Sequence, residues 1–206
     1  MTQVTTSVFW DRAAPKYAKS KISNVEAYEA SLARTMSYLG HEDTVLEIGC
    51  GTGSTALRLA PQVRAYLGTD ISSGMIGIAK EKSWEASLPQ LSFRTTAENS
   101  DEAATYSRIL AFNILHLLPN LDEVIAKTHR DLEPGGLFIS KTPCLASKHY
   151  FRPLVWLLQK IGKAPWVGFL SPQGLQDQIA SHGFEIVEDG LYPPSTPSAY
   201  FVARKI

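Results

Sequence analysis

The chain has 206 residues, 44% of them hydrophobic and 19% charged, enough to bury one substantial α/β core. Twenty basic residues balance twenty acidic ones and form no cluster, so nucleic acid is not an expected partner. No run approaches the ~18 apolar residues of a membrane span, residues 1–9 lack a secretory-signal pattern, and two lone cysteines, Cys50 and Cys144, suit reduced thiols in the cytoplasm.

Residues 1–43 read as a helical leader, with a helix over 24–39. Short β-branched runs then alternate with helical patterns: strands at 44–48, 65–69, 91–95 and 108–112, helices at 54–60 (stopped by Pro61) and 73–83. Leu121, Val124, Ile125, Thr128 and Leu132 recur at helical spacing, so 121–132 is an amphipathic helix. Pro134, Gly135 and Gly136 predict a sharp turn into a fifth strand at 137–141. Strands separated by helices imply a parallel sheet. Ser171 and Pro172 open a last helix that Gly183 ends. Two further strands, 185–188 and 199–203, are joined by the Pro-rich stretch 193–197 with no helix between, so they pair as a hairpin. The fold expected is α/β: a doubly wound, Rossmann-like, seven-stranded sheet, mostly parallel with one antiparallel strand, helices on both faces. The cofactor-binding core is 44–143, an insertion spans 144–171, and the C-terminal helix and hairpin take 172–206.

The segment Val45-Leu46-Glu47-Ile48-Gly49-Cys50-Gly51-Thr52-Gly53 runs from a buried strand straight into a helix. Its glycines permit a tight turn and close approach of a ligand, at the carboxyl end of a strand where such sheets bind ligands. Asp70 ends the next strand, placed to accept hydrogen bonds from both hydroxyls of an adenosine ribose. A nicotinamide dinucleotide is the competing ligand. Its fingerprint wants glycine or alanine at the sixth position from Gly49, where Ser54 stands. Glu47 would also oppose a pyrophosphate. S-adenosylmethionine carries no phosphate and has cationic amino and sulfonium groups, so the charge pattern selects it.

The same segment resembles motif I of the class I S-adenosylmethionine-dependent methyltransferases. The similarity continues through Asp70-Ile71-Ser72-Ser73-Gly74-Met75, Ala111-Phe112-Asn113-Ile114-Leu115-His116 and Leu132-Glu133-Pro134-Gly135-Gly136. The opening Phe9-Trp10-Asp11-Arg12-Ala13-Ala14-Pro15-Lys16-Tyr17 resembles the leader of the ubiquinone and menaquinone biosynthesis methyltransferase group. The resemblance implies that Gly49, Cys50, Gly51, Thr52 and Gly53 line the methionine moiety and that Glu47 binds its amino group. It implies that Asp70 holds the ribose and that Ile71 and Met75 sandwich the adenine. Phe112 and Asn113 then lie beside the methionine and methyl, and Tyr17 closes over the cofactor. Many relatives have Asp-Ala-Glu after the third strand; Thr96-Ala97-Glu98 stands here, so the adenine amino group needs Thr96, Glu98 or a backbone carbonyl instead. Tyr106-Ser107 replace a usual Phe-Asp, a change read as structural.

Such chemistry needs a nucleophile aligned against the methyl in a water-poor pocket, and a base only where the acceptor loses a proton. His116 is the candidate base; its alternative is a histidine packed among leucines. Cys144 follows the fifth strand as does the nucleophile of RNA cytosine-5 methyltransferases, yet their Pro-Cys pair after the fourth strand is replaced by Phe112-Asn113, so Cys144 reads as a bystander. The insertion is rich in aromatic and aliphatic residues, Tyr150 and Trp156 among them, and is expected to lid a partly apolar small-molecule substrate. A helix packed on the core, a dimer surface and peripheral membrane contact beside Arg152, Lys160 and Lys163 are its alternatives. A cofactor-binding, non-catalytic protein and an NAD-dependent oxidoreductase are the competing functions.

Overall fold

The computed structural model describes residues 3–97, 105–192 and 198–206. Among these, seven strands pair in the order β3-β2-β1-β4-β5-β7-β6: β1 (Thr44–Ile48), β2 (Ala65–Asp70), β3 (Leu91–Thr95), β4 (Tyr106–Phe112), β5 (Leu132–Pro143), β6 (Phe184–Leu191) and β7 (Ser198–Lys205). Strands β1 to β5 pair in parallel, and β7 runs antiparallel to both β5 and β6. The expected sheet and its antiparallel strand are therefore present. The helices are α1 (Gln3–Lys19), α2 (Val25–Met36), α3 (Ser54–Leu59), α4 (Ser73–Ala86), α5 (Leu121–Asp131), α6 (Arg152–Lys160) and α7 (Pro172–Ser181).

Strand side chains alternate between faces, and the core divides accordingly. Val45, Leu110, Ile139 and Val202 meet Leu32 of α2, Leu59 of α3 and Ile76 of α4. Leu46, Ile109, Phe138 and Phe201 meet Ile125 of α5 and Leu175 and Ile179 of α7. Every one of those central strand residues is an apolar neighbour of another, so both faces are covered, as a parallel sheet requires. Each fully buried aliphatic side chain contributes roughly 1.5–3 kcal/mol. The helices start where side chains can cap them: Asn24, Ser72 and Ser171 accept from the amides of Ala27, Met75 and Gly174.

Two local expectations change. The helix before Pro61 ends at Leu59, and Pro61 sits in a 3₁₀ turn, Ala60–Gln62, where its missing amide costs nothing. Pro134 to Gly136 do not precede the fifth strand but bulge within it: Tyr106 pairs with Leu132, and Arg108 already with Leu137. Gly135, at φ 74°, absorbs the extra chain. The hairpin partners hold as expected, while residues 193–197 between them lie outside the described residues.

Strand β1 lies between β2 and β4, where the order reverses, and a crevice opens there at the carboxyl ends.

Candidate active site

The turn leaving β1 occupies that crevice. Gly49 has φ 69°, and a Cβ there would lie 2.5 Å from Cγ1 of Ile114, so only glycine fits. Gly51, at φ 53°, differs: the nearest atom to its missing Cβ is Cε1 of Tyr17 at 3.7 Å. Its backbone is thus open to a ligand on one side and faced by an aromatic ring on the other. Thr52 is buried, and Lys82 of α4 donates to its carbonyl and hydroxyl at 3.3 and 3.2 Å, tying the far side of the turn to α4.

Two carboxylates face the turn. Glu47 is 2% exposed and accepts from the Tyr66 hydroxyl at 2.9 Å. Burial pushes its pKa up to about 7, and the charge of Asp70 adds to the rise. Asp70 accepts from the Gly51 amide at 3.0 Å and the Ser72 amide at 2.9 Å. Burial raises its pKa as well, against those two amides. No ion pair among the described residues involves either acid. With two acids and no counter-cation among the described residues, the site is a poor seat for pyrophosphate and a good one for a cation. Cys50, between the acids, is buried, and its thiol is pushed far up by burial and by both carboxylates, so it stays protonated and inert.

The leader packs onto α4 through a contact that the sequence reading missed. Asp11 of α1 accepts from the Ser72 hydroxyl at 2.6 Å and the Gly74 amide at 2.9 Å, at the amino end of α4. These bonds lower its pKa, and a carboxylate suits that end of the helix dipole. Ala14 is 1% exposed, and the Asp11 carbonyl lies 3.4 Å from where a Gly74 Cβ would be. Pro15, inside α1, has no amide to give that carbonyl, which faces Gly74 instead. Asp11, Ala14 and Tyr17 recur every three residues, the one signal that could have placed them on a shared face. Tyr17 stands over Gly51, edge-on to Trp10 at 6.5 Å between ring centroids. Tyr17 is 49% exposed, and its partial burial together with the nearby charges of Asp70 and Glu47 raises its pKa.

Of the remaining sequence candidates, Ile71 is half-buried beyond Asp70, and Met75 lies buried in the first turn of α4. The Thr96 amide donates to the Asp70 carbonyl at 2.9 Å, which brings Thr96 and Ala97 beside the β2 rim. Glu98 lies outside the described residues. At the β4 rim, Asn113 is exposed and takes φ 58°, a left-handed conformation that non-glycine residues adopt mainly at constrained sites. Phe112 and Asn113 line a small cavity of about 30 Å³ with Tyr28, Ser31, Thr55 and Lys141. His116 is not in that lining; it sits in the 3₁₀ turn after β4, its carbonyl accepting from Gly168 at 2.7 Å. Its Nδ1 is buried with no partner, and burial holds its pKa down at about 4. Ser107 confirms a structural role, its hydroxyl donating to Asp43 at 2.7 Å.

Helix α6 stands in the insertion above this rim, whose ends meet through the Ala146 amide and Leu170 carbonyl at 3.0 Å. None of its residues is buried, and Tyr150, Trp156 and Leu157 are more than half exposed. Cys144 is buried, its thiol against the Thr142 carbonyl. No helix among the described residues is long and apolar enough to cross a membrane.

A family model described as a methyltransferase domain matches residues 17–189. Among curated proteins, a highly reducing polyketide synthase of Fusarium sp is 28% identical over 172 residues, covering 74% of this chain and 7% of that protein. The chain spans between 5% and 8% of the length of this and two further synthases that it matches. Among solved structures, magnesium protoporphyrin IX methyltransferase from Synechocystis PCC 6803, with bound SAH, gives a TM-score of 0.70 at 18% identity, over 98% of this chain and 95% of that one. The carbon methyltransferase of CurJ gives 0.61 at 22% identity, over 84% of this chain and 51% of that one. These likenesses carry the fold, and the family match runs through the glycine turn, the acid ending β2 and both rims. The chain belongs to the methyltransferase-domain family, the class I enzymes whose methyl donor is S-adenosylmethionine.

Proposed function

We propose that this chain transfers a methyl group from S-adenosylmethionine to a carbon of a small, partly apolar carbonyl compound. The observation that carries the donor half is the pair of acids, buried Glu47 and half-buried Asp70, beside an open glycine turn with no ion-pairing cation among the described residues. The residues present fit the donor. Gly51 leaves room for it, Glu47 offers an unneutralised carboxylate for its amino group, and each Asp70 oxygen keeps an acceptor direction for a ribose hydroxyl. When bound, S-adenosylmethionine supplies a methyl made electrophilic by its sulfonium.

The chain's own residues do the rest. The amides of Gly51 and Ser72 hold the Asp70 carboxylate in place before any ligand arrives, and Tyr66 does the same for Glu47. Gly49, Cys50, Thr52 and Gly53 wall the methionine side. Ile71, Met75, Thr96 and Ala97 bound the adenine side. Tyr17, latched by Asp11, shuts water out above Gly51. Phe112 and Asn113 separate the donor from the acceptor cleft. His116 is our candidate for the group that takes a proton from the acceptor. Burial keeps its imidazole neutral and its Nδ1 unpaired, and an anionic acceptor close by would raise its pKa toward the working range.

Support for a carbon acceptor comes from the likeness to polyketide synthases and to the CurJ carbon methyltransferase. The exposed apolar residues of 145–170 suit a lid that closes on an apolar acceptor. Free, buried Cys50 and Cys144 fit a reducing compartment such as the cytoplasm. Calorimetry with S-adenosylmethionine, its demethylated product and NAD tests the donor: tight binding of the first two and none of NAD is expected, and the reverse ends this reading. A methyl-transfer screen over carbonyl acceptors tests activity, and cofactor binding without turnover on any of them would mark a non-catalytic protein. Full activity of His116→Ala would remove His116 as the base.

A further inference from the structure

The alternation of β5 carries a residue that the cofactor site does not use. Leu137 and Ile139 both point into the core beneath α2, and Lys141 is the next residue of that face. Where an apolar side chain would continue the core, an ammonium stands instead. Its Nζ donates to Ser31 Oγ at 2.9 Å and the Ala27 carbonyl at 3.4 Å, both on α2. No carboxylate among the described residues forms an ion pair with it. Two of three donors are engaged by neutral oxygens, and the charge itself is uncompensated.

Lys141 lines the same small cavity as Phe112 and Asn113, one with room for about a single oxygen atom, and the hydroxyls of Tyr28, Ser31 and Thr55 line it too. Tyr28 and Thr55 lie 3.4 Å apart, hydroxyl to hydroxyl. The backbone locks the rim together, because the Asn113 amide donates to the Lys141 carbonyl at 2.7 Å. Burial lowers the lysine's pKa, so its charge is under-solvated and would gain from an anion.

We infer that Lys141 is the acceptor's anion-binding residue: its ammonium and the surrounding hydroxyls take the oxygen of an enolate, which makes the acceptor an enolisable carbonyl compound of the 1,3-dicarbonyl class. This deepens the reading under Proposed function and rests on it. The interaction is a charge-assisted hydrogen bond in which Lys141 keeps its proton; the proton that the acceptor loses from carbon goes to solvent if the acceptor ionises before binding, or to His116 if it ionises in the site. An enolate held at oxygen presents its nucleophilic carbon toward Phe112 and Asn113.

The probe is 2,4-pentanedione, a 1,3-dicarbonyl that ionises in buffer by giving a C–H proton to solvent, and whose enolate has its own ultraviolet absorption. Titrated into wild-type protein holding the demethylated cofactor product, it should show enrichment of the enolate band. Lys141→Met should weaken that uptake by about ten-fold or more, and Lys141→Arg should largely restore it. Both variants should bind S-adenosylmethionine as the wild type does. Equal enolate uptake by Lys141→Met, or none by wild type, overturns the assignment. Should Lys141→Met fail to fold, wild type alone decides: 3,3-dimethyl-2,4-pentanedione cannot ionise, and if it competes as well as the parent compound, no anion site exists. Loss of S-adenosylmethionine binding in the wild type is a separate readout, and it would remove the methyltransferase reading rather than the lysine's role alone.

Discussion

The two halves of the crevice are built in different ways. At the β1–β2 rim, backbone amides hold Asp70, a buried tyrosine holds Glu47, and Gly49 is boxed in by Ile114. At the β4–β5 rim, the Nδ1 of His116 and the hydroxyls of Ser140 and Thr142 are buried without partners, Lys141 lacks a counter-charge, and α6 buries none of its residues. The first rim is finished before its ligand comes, which suits a donor of one fixed shape. The second leaves polar atoms and apolar surface to be satisfied by whatever binds, which suits an acceptor that completes the site.

Four measurements test that contrast. The largest effect concerns Glu47. Its folded pKa of about 7 exceeds its ordinary 4.5, so the folded protein holds more protons than the unfolded chain between those values. Stability should fall by roughly 3 kcal/mol as pH rises through this window, with no cost below it and no further cost above. Glu47→Gln should flatten the slope in thermal melts at successive pH values, and an unchanged slope would show that another group causes it. Near pH 6, S-adenosylmethionine should also expel a proton from Glu47, visible as a buffer-dependent heat of binding.

Asp70→Asn comes next. Losing a charged acceptor should cost about 1.5–3 kcal/mol of donor binding, while acceptor binding stays as it was. Were both to weaken together, the two rims would not be separate sites. Asp11→Ala tests whether the leader belongs to the first rim. A loss of about 1 kcal/mol in stability, faster amide exchange along α1 and weaker donor binding are expected, and an α1 that exchanges as before would mean that Asp11 is no latch. The smallest effect belongs to α6. Trp156→Ala with Leu157→Ala should leave stability within about 0.5 kcal/mol and raise the acceptor KM several-fold, with donor affinity untouched. If the pair instead abolishes binding to anionic vesicles and spares KM, the insertion is a membrane surface and not a lid.

The first rim was largely legible because its logic is local. A strand, a turn that only glycine can make and an acid closing the next strand all lie within residues 44–70, and each residue type states its own constraint. The latch was not, since Asp11 and Gly74 are 63 positions apart and an acid on a helix announces nothing about the helix it will cap. The bulge at Gly135 escaped for a similar reason, because Pro-Gly-Gly signals a bend but not whether the ladder resumes across it.

By itself, then, the order of residues determined the sheet class, the glycine turn after β1 and the sign of the charge beside it, since these follow from short-range geometry and from which side chains can be ionised. Only tertiary packing decided that the leader folds back onto α4, that α6 stays exposed, and that Lys141 faces an uncompensated cleft beneath α2. Each of those outcomes depends on which distant surface arrives opposite a side chain. Strand alternation sets the side of the sheet on which Lys141 lies, but not whether an acid, an apolar wall or open space will meet it.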